Sequence, residues 1–124
     1  MNLVDSCGWL EYFADGPNAE FYAPALEDPA SLLVPTICLL EVCKCILQQR
    51  GEDAALRAAA AMCRGLLAPL EANLVLSATR ISHDLHLPLA GSVILATARA
   101  YDSVVWTQDS HFQGLAGVRY TDKR

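Results

Sequence analysis

Hydrophobic positions along the chain recur with two periods, one typical of strands and one typical of helices. Short apolar runs predict strands, which lie at Asn2–Asp5, Leu32–Val34, Ser103–Trp106 and Val118–Tyr120. Segments with helical spacing predict helices that begin after Asp5 and cover Ala19–Glu27, Ile37–Arg50, Asp53–Leu67, Asn73–Leu85 and Ser92–Tyr101. Because helices separate the strands, the pattern favours an α/β fold, a three-layer α/β/α domain with a mainly parallel sheet.

Local residue signals mark the ends of several predicted helices. Ser6 can cap the first helix, and Asp15-Gly16-Pro17 ends it. Gly51 terminates the helix that precedes it. The alanine-rich helix is followed by Ala68-Pro69-Leu70, which we interpret as a short extended link.

The composition is that of a compact globular protein. Of 124 residues, 53% are hydrophobic and 19% are charged, which predicts one domain over residues 1–124 with a sizeable core. The five cysteines are odd in number and mostly lie in apolar runs, which indicates buried thiols in a reducing compartment. There is no basic leader, and no apolar stretch reaches ~18 residues without a charge. We therefore expect a cytoplasmic protein with no membrane segment.

The charge of the chain limits how it can meet nucleic acid. The net charge of −5 argues against strong non-specific binding, because such binding depends on neutralising phosphates. The arginines, among them Arg50, Arg57, Arg64 and Arg80, are scattered rather than arranged in a stripe. If a protein of this composition acts on nucleic acid, the cations that bind the phosphates must form a local cluster or belong to a partner protein.

Three acids occupy positions that suggest a metal site. Asp5 closes the first strand and Asp109 follows the strand Ser103–Trp106, so both lie at the edge where parallel sheets bind ligands. Glu41 is the one acid in the segment Ile37–Leu47, which is otherwise apolar except for Lys44. Three carboxylates brought together repel each other unless a divalent cation joins them, and oxygen ligands suit Mg²⁺ or Mn²⁺. Such an ion can activate water for attack on a phosphodiester.

Each acid also has a structural interpretation. Asp5 can stabilise the N-terminus of the following helix through the helix dipole. Glu41 and Lys44 can form an ordinary ion pair on a solvated face, and Asp109 can be a turn residue. Taken singly, none of the three acids establishes a metal site.

Four motifs together resemble PIN-domain proteins, with the strongest likeness to VapC-type toxins of bacterial and archaeal toxin–antitoxin pairs. They are LVDSCGWLEYF (Leu3–Phe13), PTICLLEV around Glu41, LPLAGSVILATA (Leu87–Ala98) and VVWTQDSHF (Val104–Phe112). Their order and separations match along nearly the whole chain, and the likeness is weakest across Glu52–Leu70.

The resemblance implies a single-strand-preferring endoribonuclease that uses Mg²⁺ or Mn²⁺ and is inhibited by a small VapB-type antitoxin. By motif, Asp5, Glu41 and Asp109 match metal-site acids of the family. Ser6 and Thr107 match polar positions that support the site. Similar toxins are homodimers, and Trp9 and Tyr22 suggest the apolar helix surface that a second copy would cover.

Gly91 departs from the family pattern. In LPLAGSVILATA its place is where the family carries another acid, so the resemblance implies a missing ligand. The alternative is a loop glycine before a helix capped by Ser92, with the register off by one. A second hypothesis is therefore an inactive PIN-fold domain that still binds antitoxin or RNA. A third, a DNA-directed or repair-type nuclease, is less favoured because the chain has no clamp-like insertions.

Overall fold

A five-stranded parallel sheet forms the centre of the computed structural model, which describes residues 1–124. The strands are β1 (Asn2–Val4), β2 (Leu32–Pro35), β3 (Leu66–Ala68), β4 (Val104–Thr107) and β5 (Val118–Tyr120). Their order across the sheet is β3-β2-β1-β4-β5, and all four pairings are parallel. This order places β1 in the middle, with the strands that precede the other predicted site residues on either side.

Six α-helices connect the strands and cover the sheet. They are α1 (Ser6–Phe13), α2 (Ala19–Leu26), α3 (Thr36–Arg50), α4 (Glu52–Met62), α5 (Ala72–Leu85) and α6 (Leu89–Ala100), with 3₁₀ turns at Pro29–Ser31 and Ser110–Phe112. The three-layer α/β/α fold with a parallel sheet is therefore confirmed. No helix has the length and apolar character needed to cross a membrane.

The core is built on the central strands. Leu3, Val4, Leu33, Val34 and Val105 have no exposed side-chain surface, and they belong to one cluster of 26 buried residues. Strands buried on both faces contain consecutive apolar residues instead of alternating ones. Burial of both faces leaves polar side chains to collect at the ends of the strands, where the chain enters the helices.

The segment after α4 differs from the prediction. The helix ends at Met62, and Leu66 and Leu67 form β3, so the predicted helix Asp53–Leu67 was too long and one strand was missed. A Cβ atom at Gly65 would lie 2.9 Å from the carbonyl oxygen of Leu32. This close approach requires glycine, and it brings Leu66 into register beside β2.

Two helix starts and one proposed surface were also predicted wrongly. Asp5, not Ser6, caps α1, because its Oδ1 accepts a hydrogen bond of 2.8 Å from the backbone N–H of Ser6. The helix α6 begins at Leu89, so Ser92 lies inside it and its hydroxyl donates to the Pro88 carbonyl at 2.9 Å. Trp9 and Tyr22 are 3% and 0% exposed and therefore offer no surface to a second copy. The two aromatic side chains instead fill the core.

Candidate active site

The predicted site residues meet at the carboxyl edge of the sheet. Asp5 follows β1, Asp109 follows β4, and Glu41 lies on the second turn of α3. The first turn of α6 contributes Gly91. Together with Ser6 and Cys7, these residues line one cavity of about 220 Å³, which we call the acidic cavity.

Asp5 is a buried carboxylate with no cationic partner. It is 6% exposed, and no lysine or arginine forms a salt bridge with it. Burial raises its pKa, and the nearby charge of Asp109 acts in the same direction. Hydrogen bonds from Thr107, Cys7 and the Ser6 backbone oppose this shift by stabilising the anion. A buried acid of this kind costs stability unless a cation or a proton neutralises it.

Thr107 joins the first acid to the last. Its side-chain hydroxyl donates to Asp5 Oδ2 at 2.8 Å and accepts a bond of 2.9 Å from the backbone N–H of Asp109. The residue is fully buried at the end of β4. Thr107 therefore fixes the side chain of Asp5 and the backbone that carries Asp109 at the same time.

Replacing Thr107 with valine is expected to lower the free energy of unfolding by about 1–3 kcal/mol, because a buried amide and a buried carboxylate each lose a partner. Urea unfolding measures the loss. Thr97→Val is the matched control, since the Thr97 hydroxyl donates only to the Val93 carbonyl inside α6, at 2.7 Å. Equal losses in the two variants would show that the Asp5–Thr107–Asp109 linkage adds no stability.

Ser6 and Glu41 connect α1 to α3. The Ser6 hydroxyl donates to Glu41 Oε1 at 2.7 Å, while its backbone N–H donates to the capping carboxylate of Asp5. Glu41 forms no salt bridge with Lys44, so the ion pair considered for this helix face is absent. The half-buried carboxylate of Glu41 instead turns toward the acidic cavity.

Asp109 contacts both the backbone and the ring of His111. Its Oδ1 accepts bonds from the backbone N–H of His111 at 3.0 Å and lies 2.7 Å from His111 Nδ1. Asp109 thus also caps the 3₁₀ turn Ser110–Phe112, as the turn interpretation expected. The Asp109 side chain is 37% exposed, and the residue lines the acidic cavity.

Gly91 is buried beside the acids, at the third position of α6. A Cβ atom built there would lie 3.3 Å from Cζ and 3.5 Å from Cε2 of Phe112. A side chain at this position is therefore possible if the Phe112 ring moves by a few tenths of an ångström. The positive end of the α6 dipole favours an anion in this first turn.

Sequence reasoning missed two residues of the site. Cys7 donates from its thiol to Asp5 Oδ2 at 3.4 Å, and Sγ lies 3.6 Å from Thr107 Oγ1. Burial and the charge of Asp5 raise the pKa of this thiol to about 11, so it is protonated at neutral pH. The second is His111, whose ring nitrogen Nδ1 lies 2.7 Å from Asp109 Oδ1. Their positions, two residues after Asp5 and two after Asp109, were the available signal.

The donor set of the acidic cavity has the chemistry of a magnesium or manganese site. It offers carboxylate and hydroxyl oxygens, which these cations prefer, and a buried anion that lacks a counter-charge. No group of three or more His, Cys, Asp or Glu side chains is arranged to hold a metal ion, however. In this arrangement Glu41 accepts a hydrogen bond from Ser6, and Asp109 lies against His111. The acids that the cavity contains are of the type that suits these cations.

Known structures with a similar fold come from toxin–antitoxin systems. A toxin–antitoxin complex from Klebsiella pneumoniae superposes with a TM-score of 0.83 at 18% identity, covering 96% of each chain. DNA-bound VapBC from Salmonella typhimurium gives 0.73 at 14% identity and 98% coverage of both chains. The sarcin–ricin loop cleaving toxin VapC20 of Mycobacterium tuberculosis gives 0.71 at 18% identity, covering 96% of this chain and 99% of that one.

The family assignment comes from the sequence itself. No curated protein matches the chain at a significant level. The family model of the PIN domain matches residues 3–118, a span that contains β2, β3, β4 and all but the first residue of β1, together with every residue of the acidic cavity. At the sequence identities above, the structural likeness shows the fold alone. With the profile match over almost its full length, the chain belongs to the PIN domain family.

Proposed function

We propose that this chain is a metal-dependent endoribonuclease, the toxin of a type II toxin–antitoxin pair. The observation that carries the proposal is the convergence of Asp5, Glu41 and Asp109 on one cavity at the carboxyl edge of the sheet. Structural neighbours that are toxins with antitoxin partners support it. The chain acts as one cytoplasmic PIN domain, and its inhibitor is a VapB-type antitoxin.

Each residue of the acidic cavity has a role in this proposal. Asp5 and Asp109 would hold Mg²⁺ or Mn²⁺ directly, and Glu41 would do so directly or through water. Ser6 and Thr107 orient Glu41 and Asp5 through the hydrogen bonds of 2.7 and 2.8 Å. When bound, the cation would polarise the phosphodiester and activate the water that attacks phosphorus.

Millimolar Mn²⁺ is expected to raise the midpoint of thermal unfolding, because a ligand that binds only the native state stabilises it. A tenfold excess of free Mn²⁺ over Kd adds about 1.4 kcal/mol to the free energy of unfolding. Differential scanning fluorimetry with Mn²⁺ and with chelator measures the shift.

The shift must depend on the acids of the cavity. Asp5→Asn combined with Asp109→Asn should abolish it. Asp28→Asn is the matched control, since Asp28 is exposed and its side chain caps no helix. A shift that survives the paired change would place the cation elsewhere on the chain and refute the proposed ligands.

A second candidate function follows from Gly91, which contributes no ligand where an acid is implied. In that case the chain is a catalytically inactive PIN-fold domain that still binds antitoxin or RNA. The two functions differ in one measurement. Mn²⁺-dependent cleavage of single-stranded RNA by the glycine form, lost in Asp5→Asn, supports the enzyme, whereas RNA or antitoxin binding without cleavage supports the inactive domain.

The proposed toxin is a homodimer joined through helices from the first half of the chain. Trp9 and Tyr22 cannot supply the interface, but α3 exposes Leu40 and Leu47, with 66% and 51% of their surface accessible. These leucines lie two turns apart and share one side of α3. A second copy would remove this apolar surface from water.

Light scattering at micromolar concentration should give close to twice 13.4 kDa. Leu40→Glu should return the mass to that of a monomer, because it places a charge in the proposed interface. Leu76→Glu is the matched control, since Leu76 on α5 is 72% exposed and lies in the second half of the chain. A wild-type monomer, or equal effects of the two changes, would refute this interface.

A further inference from the structure

A second concave surface lies between α1, α3, α4 and the C-terminal residues. It encloses about 480 Å³. We call it the basic groove and define it by Phe13, Gln49, Arg50, Arg57 and Lys123, which are among the residues that line it. The three cations come from the end of α3, from α4 and from the C-terminus, so folding gathers charges that are far apart in the sequence.

The basic groove is continuous with the acidic cavity. Cys7 lines both, and a further depression of about 380 Å³ shares lining residues with each of them. That depression shares Asp109 with the acidic cavity, shares Lys123 with the basic groove, and includes Tyr120. A linear molecule whose reacting group sits at the acids can therefore continue along the surface into the basic groove.

The cations of the basic groove have no carboxylate partners. The two close contacts between carboxylates and basic side chains both involve histidine, so Arg50, Arg57 and Lys123 form no salt bridge. Glu11 is the one acid that lines the groove, and its Oε1 accepts a 2.8 Å bond from the backbone N–H of Asn18. Three cations against one acid leave the groove with a formal charge of +2 in a chain of net charge −5, which makes it a local site for an anion.

We propose that the basic groove binds the RNA strand on one side of the phosphodiester that is cut, with Arg50, Arg57 and Lys123 against its phosphates. The proposal rests on the proposed function and extends it to the path of the substrate. Phosphates that approach Asp5, Glu41 and Asp109 are repelled by the acids, so cations beside the cavity are needed to hold the strand.

The apolar floor of the basic groove suits a single strand. Phe13 is half-buried at the end of α1, with its ring centroid 5.6 Å from that of Trp9, so it offers a supported aromatic surface to a base. Base stacking on aromatic side chains tolerates any sequence. A single strand exposes both its phosphates and its base faces, and the groove has complementary surfaces for each.

The test is the affinity for a fluorescently labelled pool of single-stranded RNA, measured by anisotropy in chelator so that no strand is cut. Arg50→Gln combined with Arg57→Gln should weaken binding by at least roughly tenfold. The slope of log affinity against log salt concentration should fall by the amount expected for about two lost phosphate contacts. Arg80→Gln combined with Arg99→Gln is the matched control, since these exposed arginines of α5 and α6 lie outside the groove and the charge change is the same. The control pair should bind like the wild type.

Equal affinities of the two pairs would overturn the proposal, and so would a wild-type protein that does not bind the RNA. Poly-L-glutamate that binds more tightly than RNA, with the same dependence on Arg50 and Arg57, would assign the groove to an acidic protein segment and overturn it too. The Mn²⁺ shift of the unfolding midpoint keeps the proposed function separate, because it depends on Asp5 and Asp109 and not on the groove. A retained shift with unchanged RNA binding would reject the groove alone.

Discussion

Replacing Gly91 with aspartate is expected to raise the rate of RNA cleavage in Mn²⁺ by at least roughly tenfold, since changes even to the partners of metal ligands alter affinity or activity by 10–100-fold. The new carboxylate would lie in the acidic cavity, at the third position of α6, where the helix dipole favours an anion. Without metal, the added charge shares the acidic cavity with Asp5, and the side chain crowds the Phe112 ring, so Gly91→Asp should be less stable than the glycine form in chelator. In Mn²⁺ the difference in stability between the two forms should become smaller or change sign.

Two companion variants separate charge from bulk at position 91. Gly91→Ala adds only the Cβ atom that approaches Phe112, and Gly91→Asn adds a side chain of aspartate's shape without its charge. Neither should gain activity. Asp5→Asn in the aspartate background controls for contaminating nuclease and should abolish the gain. If the glycine form already cuts RNA as fast as the aspartate form, and Asp5→Asn abolishes both activities, then position 91 holds no ligand and the inferred register is wrong.

The elements that the sequence predicted well are those whose apolar pattern is continuous. The central strands β1, β2 and β4 were found at their positions because each is an uninterrupted apolar run. The edge strand β3 was missed because Leu66 and Leu67 continue the pattern of an alanine-rich helix. What ends that helix is a contact distant in sequence, the approach of Gly65 to Leu32.

The acidic cavity could be predicted because its positions follow from topology. Acids that come directly after parallel strands must share one edge of the sheet, which placed Asp5 and Asp109 together. The partners of these acids were not predictable in the same way. Ser6 was expected to cap the first helix, but Asp5 is the capping residue. Because α3 packs beside α1, the Ser6 hydroxyl donates to Glu41 instead.

The basic groove shows the opposite case, a feature that no local pattern contains. Arg50 and Arg57 are separated by a helix break at Gly51, which has a φ of +88°, and Lys123 lies far away in the sequence. The reversal at Gly51 folds α4 back along α3 and brings the two arginines to one groove. Scattered charges in a sequence therefore do not exclude a charged surface in the fold.

Asp5→Asn is expected to raise the stability of the metal-free protein at neutral pH by on the order of 1 kcal/mol, the usual scale of a single change. The carboxylate is buried without a cation, and burial raises its pKa. Asparagine keeps the shape of the side chain. Its oxygen can still accept from the Ser6 N–H, whereas its amide replaces the Oδ2 that accepts from the Thr107 hydroxyl and the Cys7 thiol, and it can only donate, to Thr107 Oγ1. The variant therefore removes the buried charge, and the expected gain is the lost desolvation penalty less the cost of these two exchanged hydrogen bonds.

The pH dependence identifies the cause of that gain. Because the pKa of Asp5 is raised in the folded state, the unfolded chain releases this proton first as the pH rises through the ordinary aspartate range. The folded state then binds more protons than the unfolded state, so the contribution of Asp5 to stability falls with rising pH. Urea unfolding in chelator should show the advantage of Asp5→Asn growing from acid to neutral pH, with no such trend in the exposed control Asp28→Asn. In saturating Mn²⁺ the order should reverse, because the carboxylate then gains the counter-charge that the fold lacks. An advantage independent of pH would show that packing around residue 5, not its charge, sets the stability of the metal-free protein.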